Sequence, residues 1–472
     1  MSHNARIALL DAGFLASETR DNPKHVGGLL IFKPGLKKAS LCASALYQAY
    51  RVYDRPAEPF NLIPILNLGG GLRWQETPNF ALQQHLFYHP APATPLTHEQ
   101  LLQQVADLHT PRLERDRPLW EYHIIDGLAE RGFAIYCRVH HAYADGVTIT
   151  RWLSQSLGPE RSSRLPPPLW SSANLGSATT SAVAGGSKPD KLNKRQQLAR
   201  PLGRVRQALH TATGLSKIGL QWGLEKAGLT QQAICVPFAA AQMPPLTGQV
   251  SAGRQLVTAA MPMARINDIR AATRSTLNHV ALTCVDIALH RYLKQLGTDF
   301  DQPLTVQMPV SLRASDDTSS GNKIAMVLVE LGSAEQDPYR RLQDIGYSLR
   351  NLRRQLDQVP AGAITTHSLV ANLCAQVVEN LHLSKHLPPL GHTLVSNVPG
   401  PHNTLFLGSA ELQHMYPVST LAAGNCLNIT LFSYAGTLYA GMVATTDLPE
   451  LADLGRYIEE ASHTLGAAVA GD

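Results

Sequence analysis

No apolar run in this 472-residue chain approaches the roughly 18 residues of a membrane-spanning helix, and its first residues lack the apolar core of a secretion signal. Cysteine is sparse. Cys42, Cys137, Cys235, Cys284, Cys374 and Cys426 are scattered without Cys-x-x-Cys spacing, which argues against a zinc site or disulfide framework and fits a reducing cytosol. Neither Gly-x-Gly-x-x-Gly nor a phosphate-binding loop occurs, so nucleotide-driven chemistry is not expected. A Gly-x-Ser-x-Gly elbow is also missing, leaving a covalent serine mechanism without support. Charged residues make up only 16% against 44% hydrophobic ones, the balance of a globular chain able to bury a large core.

The net charge of +5 is unevenly placed. From Lys191 to Lys226 eight cations face Glu225 alone, a local +7, so the rest of the chain is slightly negative. Apolar residues including Leu198, Leu202, Val205, Leu209 and Trp222 are interspersed there. The stretch 191–232 therefore reads either as amphipathic helices lying on an anionic lipid surface or as basic helices packed on the protein itself. Aromatic residues for base stacking are nearly absent from it, so no nucleic-acid partner is expected. Just upstream, residues 158–190 hold Pro159, Pro166, Pro167 and Pro168 and then a Ser/Ala/Gly/Thr tract, the composition of a mobile linker. Three segments are expected: 1–158, a linker with basic helices over 159–244, and 245–472.

Strands and helices alternate in both outer segments, which predicts an α/β fold. The apolar run before Pro34-Gly35 reads as a buried strand, and residues 54–80, rich in Pro and Gly, read as loop. Thr97-His98-Glu99-Gln100 has capping-box spacing at a helix start. Residues 122–125 and 133–140 are expected to form a hairpin. In the last segment, strands are expected near 257–261, 304–310, 324–331 and 394–396. Helices are expected from Ser275-Thr276, over 337–356 and 366–383, and from about 448. A hairpin is expected around Ala435-Gly436.

The most informative stretch is Arg138-Val139-His140-His141-Ala142-Tyr143-Ala144-Asp145-Gly146, where a strand runs into a loop. Adjacent strand residues point to opposite faces, so one histidine faces a crevice and the other faces packing. The sequence does not fix which; His141 is taken as the exposed one and His140 as the buried one. A neutral imidazole accepts a proton from a hydroxyl or thiol. Asp145 lies close enough to cap the next helix or pair with a distant arginine, and Gly146 permits positive φ or close approach of a substrate. A bland reading, a core histidine pair before an Asp-Gly turn, would usually win for one histidine; four positions fixed together favour the functional one.

His-His-x-x-x-Asp-Gly resembles the motif of acyltransferases with a chloramphenicol-acetyltransferase-like fold. Arg117-Pro118-Leu119-Trp120-Glu121 narrows this to the bacterial wax ester synthase/diacylglycerol acyltransferase family. So do the Leu-Asp-x-x-Phe-Leu opening, the Gly321-Asn322 strand start and Ser396-Asn397-Val398-Pro399-Gly400-Pro401. The resemblance implies two chloramphenicol-acetyltransferase-like halves with mixed sheets and a tunnel between them. It also implies His141 as general base, a structural role for Asp145, acyl-CoA as a substrate rather than a cofactor, and a long-chain alcohol or diacylglycerol as acceptor. Asn278 is the candidate donor to the developing oxyanion, and Trp120, Gly146, Ser396, Asn397, Pro399 and Gly400 are candidate substrate contacts. Two positions depart from the family pattern: His279 stands where the family has Asp, and Lys24 where it has Met. The expected location is cytoplasmic, at a membrane's inner face or a lipid inclusion. Two alternatives are a condensation or transacylase enzyme using a carrier-protein thioester, and a non-enzymatic lipid-surface protein.

Overall fold

The computed structural model describes residues 5–35, 41–67, 71–175, 243–298, 300, 302–311, 324–334, 336–359 and 361–471. The basic stretch 191–232 and Gly321-Asn322 lie outside the described residues.

Two six-stranded mixed sheets each carry their own hydrophobic core. The first has the order Phe406–Leu407, Ala410–Val418, His25–Lys33, Phe133–His140, Trp120–Ile125, Leu86–His89. The second has the order Ile324–Glu330, Thr305–Ser311, Thr393–Val398, Leu427–Tyr434, Thr437–Thr445, Arg254–Pro262. Parallel pairs join Thr393–Val398 to both its neighbours and Leu86–His89 to Trp120–Ile125; the other pairs are antiparallel. The expected mixed α/β architecture and both hairpins are present. The second hairpin turns at Ala435 and Gly436, whose φ values of 44° and 82° suit a tight reversal.

Three expectations need correction. Residues 54–80 are not all loop: Leu62–Asn67 and Gly71–Glu76 pair antiparallel, and Ala5–Arg6 adds to them as a third strand. Residues 158–175 do not behave as a linker. Trp170 is fully buried, stacks on Trp120 at 5.0 Å, and its carbonyl accepts the Ala57 N–H. The last segment is also not self-contained, because it lends Phe406–Leu407 and Ala410–Val418 to the first sheet before returning at Leu427. This crossing locks the halves together. An ideal Cβ at Gly441 would lie 1.8 Å from the Pro417 carbonyl oxygen, so only glycine lets the lent strand pass there. Elsewhere, helix His98–His109 packs on strand Arg254–Pro262, with His98 Nε2 2.8 Å from Thr258 Oγ1.

Candidate active site

The strand Phe133–His140 delivers the histidine pair to the seam between the sheets. Its register with His25–Lys33 sets His140 opposite His25, and one step on the His141 N–H donates to the Lys24 carbonyl at 2.8 Å. Beyond it the chain turns, with the Tyr143 N–H donating to the His140 carbonyl. The Tyr143 hydroxyl pins this turn, accepting the Leu119 N–H and donating to the Leu62 carbonyl. The unforeseen strand at 62–67 thus anchors the motif.

The two histidines separate as alternation requires. His140 is buried; its Nδ1 accepts the Ala142 N–H at 3.0 Å, and its Nε2 lies 3.5 Å from Glu18 Oε1. Burial alone would raise the Glu18 carboxyl, but His140 and Arg115 more than offset it and hold it at about 2. His141 instead lines a cavity of about 540 Å³ between the halves. Its ring stacks on Phe14 with centroids 4.1 Å apart. Nδ1 is enclosed without a hydrogen-bond partner, which leaves Nε2 as the nitrogen open to the cavity. Burial pushes the imidazole down to about 4 with help from His140 and Lys24, against the pull of Asp145. The group is therefore neutral at pH 7 and holds a lone pair for a proton.

Of the two roles open to Asp145, the structure shows the cap: Oδ1 accepts the Thr148 N–H at 2.8 Å at the start of helix Gly146–Gln155. Gly146 lines the cavity but does not use positive φ. Across from it, a Cβ there would lie 3.5 Å from Val398 Cγ2, so the motif loop and the end of strand Thr393–Val398 meet.

Ser396, Asn397 and Pro399 line the cavity from the second half. Trp120 does not; it is fully buried, and its Nε1 donates to the Phe60 carbonyl. Gly400 is a packing residue, since a Cβ there would fall 2.3 Å from both Phe432 Cζ and the Ser433 carbonyl oxygen. Asn278 is exposed and outside the lining, and its Oδ1 accepts from Asn397 Nδ2 at 2.7 Å. It reaches the cavity only through Asn397. The departure at His279 also finds a use: its Nδ1 accepts the Thr276 N–H, completing a capping box that usually relies on a carboxylate or amide.

Sequence reading named Ser396 but missed the polar groups it joins. Ser396 Oγ donates to Thr430 Oγ1 at 2.9 Å, which donates to Asn428 Oδ1 at 3.0 Å, while Asn428 Nδ2 donates to the Thr420 carbonyl. Two of these residues, Asn428 and Thr430, come from alternate positions of one strand, a pattern visible in Leu427–Tyr434 once its inner face is known. Phe14 and Lys24 were legible as residues but not as neighbours of His141.

The fold built around this seam is shared with solved structures. It matches the solved wax ester synthase/diacylglycerol acyltransferase from Marinobacter aquaeolei with a TM-score of 0.74, at 23% identity and over 99% of this chain and 100% of that one. It also matches the first condensation domain of the calcium-dependent antibiotic synthetase, with a TM-score of 0.61 at 13% identity over 99% and 96%. In sequence, the wax ester synthase/diacylglycerol acyltransferase catalytic domain matches residues 7–281, and the C-terminal domain of the same family matches 320–465. A Mycobacterium tuberculosis relative provisionally named diacylglycerol O-acyltransferase is 32% identical, covering 99% of this chain and 98% of its own. The O-acyltransferase WSD of Acinetobacter baylyi is 28% identical, with 96% and 94% covered. The chain belongs to the wax ester synthase/diacylglycerol acyltransferase family, and it is an O-acyltransferase enzyme.

Proposed function

We propose that this enzyme moves a long-chain acyl group from acyl-CoA to the hydroxyl of a fatty alcohol or a diacylglycerol, with His141 as general base. The observation that carries the reading is the His141 imidazole lining a mostly apolar cavity between the halves, where burial favours its neutral form. The acceptor hydroxyl gives its proton to Nε2 as its oxygen attacks the thioester carbonyl carbon. The carbon–sulfur bond then breaks, and the CoA thiolate takes the proton from the imidazolium. No acyl-enzyme forms, and the thioester brings its own leaving group, so no cofactor is needed. Charge developing on the carbonyl oxygen needs a donor. Asn397 on the cavity wall takes that role in this reading, with Asn278 holding it in place.

Among the described residues no helix is long and apolar enough to cross a membrane. The basic stretch 191–232, with apolar residues interspersed, supports peripheral contact with the anionic inner face of a membrane or a lipid inclusion. The test is CoA release from palmitoyl-CoA across an alcohol series that includes hexadecanol, a diacylglycerol and an amine. The expected result is turnover on the hydroxyl acceptors only, reduced by about a hundredfold or more in His141→Ala. Near-normal ester synthesis by His141→Ala would overturn the base assignment, and preference for the amine would move the enzyme to the condensation class.

A further inference from the structure

Helix Ala361–Asn380 carries three faces. Ile364, Ser368, Ala371 and Ala375 point into the protein. Leu369, Asn372, Leu373 and Gln376 line the cavity. The third face should be charged if it met water, yet Val370, Leu373 and Val377 stand exposed on it, 44–56% accessible, and Leu381 continues the stripe at 62%. The spacing of three, four and four residues keeps all of them on one side.

These residues do not stand alone. Helix Leu9–Ser17 packs against helix Ala361–Asn380 and lines the same cavity through Leu10, Gly13 and Phe14. Its Leu9 is 73% exposed. Val147, at the start of the motif helix, lines the cavity and is half exposed. Three elements that wall the cavity thus present large apolar side chains outward around its mouth, a pattern that marks an interaction surface. From 361 to 392 the only carboxylate is Glu379, which is buried and holds the Asn22 amide and the Gly424 N–H, while Lys385 is exposed. No exposed negative charge in that segment would repel an anionic surface.

We propose that this rim docks on a lipid surface, its apolar side chains entering the hydrocarbon boundary so that the cavity opens directly into lipid. The occupant follows from continuity: the rim is the outer edge of the cavity that, on the ester-forming reading on which this rests, takes long-chain substrates and releases a still more apolar ester. Such molecules pass from lipid to cavity without crossing water. None of these residues belongs to the basic stretch 191–232.

The test pairs binding with turnover. Full-length wild type, Val370→Glu/Val377→Glu and, as a control on an unrelated turn, Val52→Glu are sedimented with vesicles of phosphatidylcholine and phosphatidylglycerol, without substrate. Neither residue of the double variant lines the cavity. The double variant should bind about tenfold or more weakly, and Val52→Glu as wild type. With hexanol and a short acyl-CoA, both soluble, the double variant should keep its rate. With hexadecanol held in vesicles it should lose rate in step with binding. Leu381→Glu, beyond the helix, serves if the double variant does not fold. Unchanged vesicle binding would overturn the proposal, as would a wild-type dimer that ignores vesicles and falls apart in the double variant. Absence of turnover by wild type on soluble substrates would instead defeat the ester-forming reading while leaving the binding result intact.

Discussion

The imidazole of His141 lies flat against the ring of Phe14, 4.1 Å between centroids and 13° from parallel. Phe14 comes from helix Leu9–Ser17, far from the motif in sequence, and it covers one face of the base. It fixes the ring plane, and with it the direction of Nε2, while excluding water from that side. In Phe14→Leu the stack is lost but apolar cover remains, so kcat should fall about tenfold with little change in the KM for acyl-CoA. Phe14→Ala should fall further. Equal kcat in all three proteins would remove Phe14 from the positioning of the base.

The pH profile follows from the burial of His141. The base works when neutral, and its proton affinity is pushed down to about 4, chiefly by desolvation. Activity should therefore be flat downward from neutrality and decline only as pH approaches 4, rather than near the 6.5 of a free histidine. The check is kcat/KM from pH 4.5 to 8, each sample returned to pH 7 to confirm that it is still native. An acid limb centred near 6.5 would mean that the ring is solvated in the working enzyme.

Sequence periodicity located most of the secondary structure because those elements have one clear apolar face. The Thr97 cap and the helix start at Ser275-Thr276 were legible because capping is a local hydrogen-bond pattern. What could not be read was set by distant packing. Leu62–Asn67 contains Pro64 and sits in a Pro/Gly-rich context, and its partners are 71–76 and the Tyr143 hydroxyl. The lent strand Ala410–Val418 is recognisable only through its register with His25–Lys33. For the site, alternation separated His140 from His141, but no local rule showed that Trp120 packs on Trp170 instead of meeting a substrate. Likewise, Gly400 answers to Phe432, 32 positions later.

Trp170 gives a stability test of the corrected boundary. It is fully buried among Tyr50, Trp120 and Tyr122, and its Nε1 donates to the Tyr53 carbonyl. Trp170→Ala should cost about 3–5 kcal/mol, since it removes a large core side chain and strands part of the cavity left behind. Denaturant midpoints at constant slope would measure this. A mobile linker at 158–175 would instead show almost no change.

Lys24 stands beside His141 in the wall of the cavity. Its carbonyl holds the His141 N–H, and the register places its side chain beside the imidazole on the same face of the sheet. Nζ is buried and donates to the Leu421 carbonyl at 2.9 Å, and among the described residues no carboxylate lies within ion-pair distance. Burial pushes the ammonium down to about 8, although Glu379 and Glu18 favour its charge and Arg254 opposes it. Two consequences separate Lys24→Met from wild type. Lys24 charge helps keep the His141 proton off, so the acid limb of the variant should move toward neutrality, though only modestly because desolvation dominates. Between the folded value of about 8 and the 10.5 of a solvated lysine, the unfolded chain binds a proton at Lys24 that the folded chain does not, so wild-type stability should rise with pH across that window. The variant lacks this gain. It should be the more stable protein at pH 7, where the buried charge is still carried, and the difference should shrink by pH 10. Parallel stability curves for the two proteins from pH 7 to 10 would show that the ammonium is solvated rather than buried in the wall of the cavity.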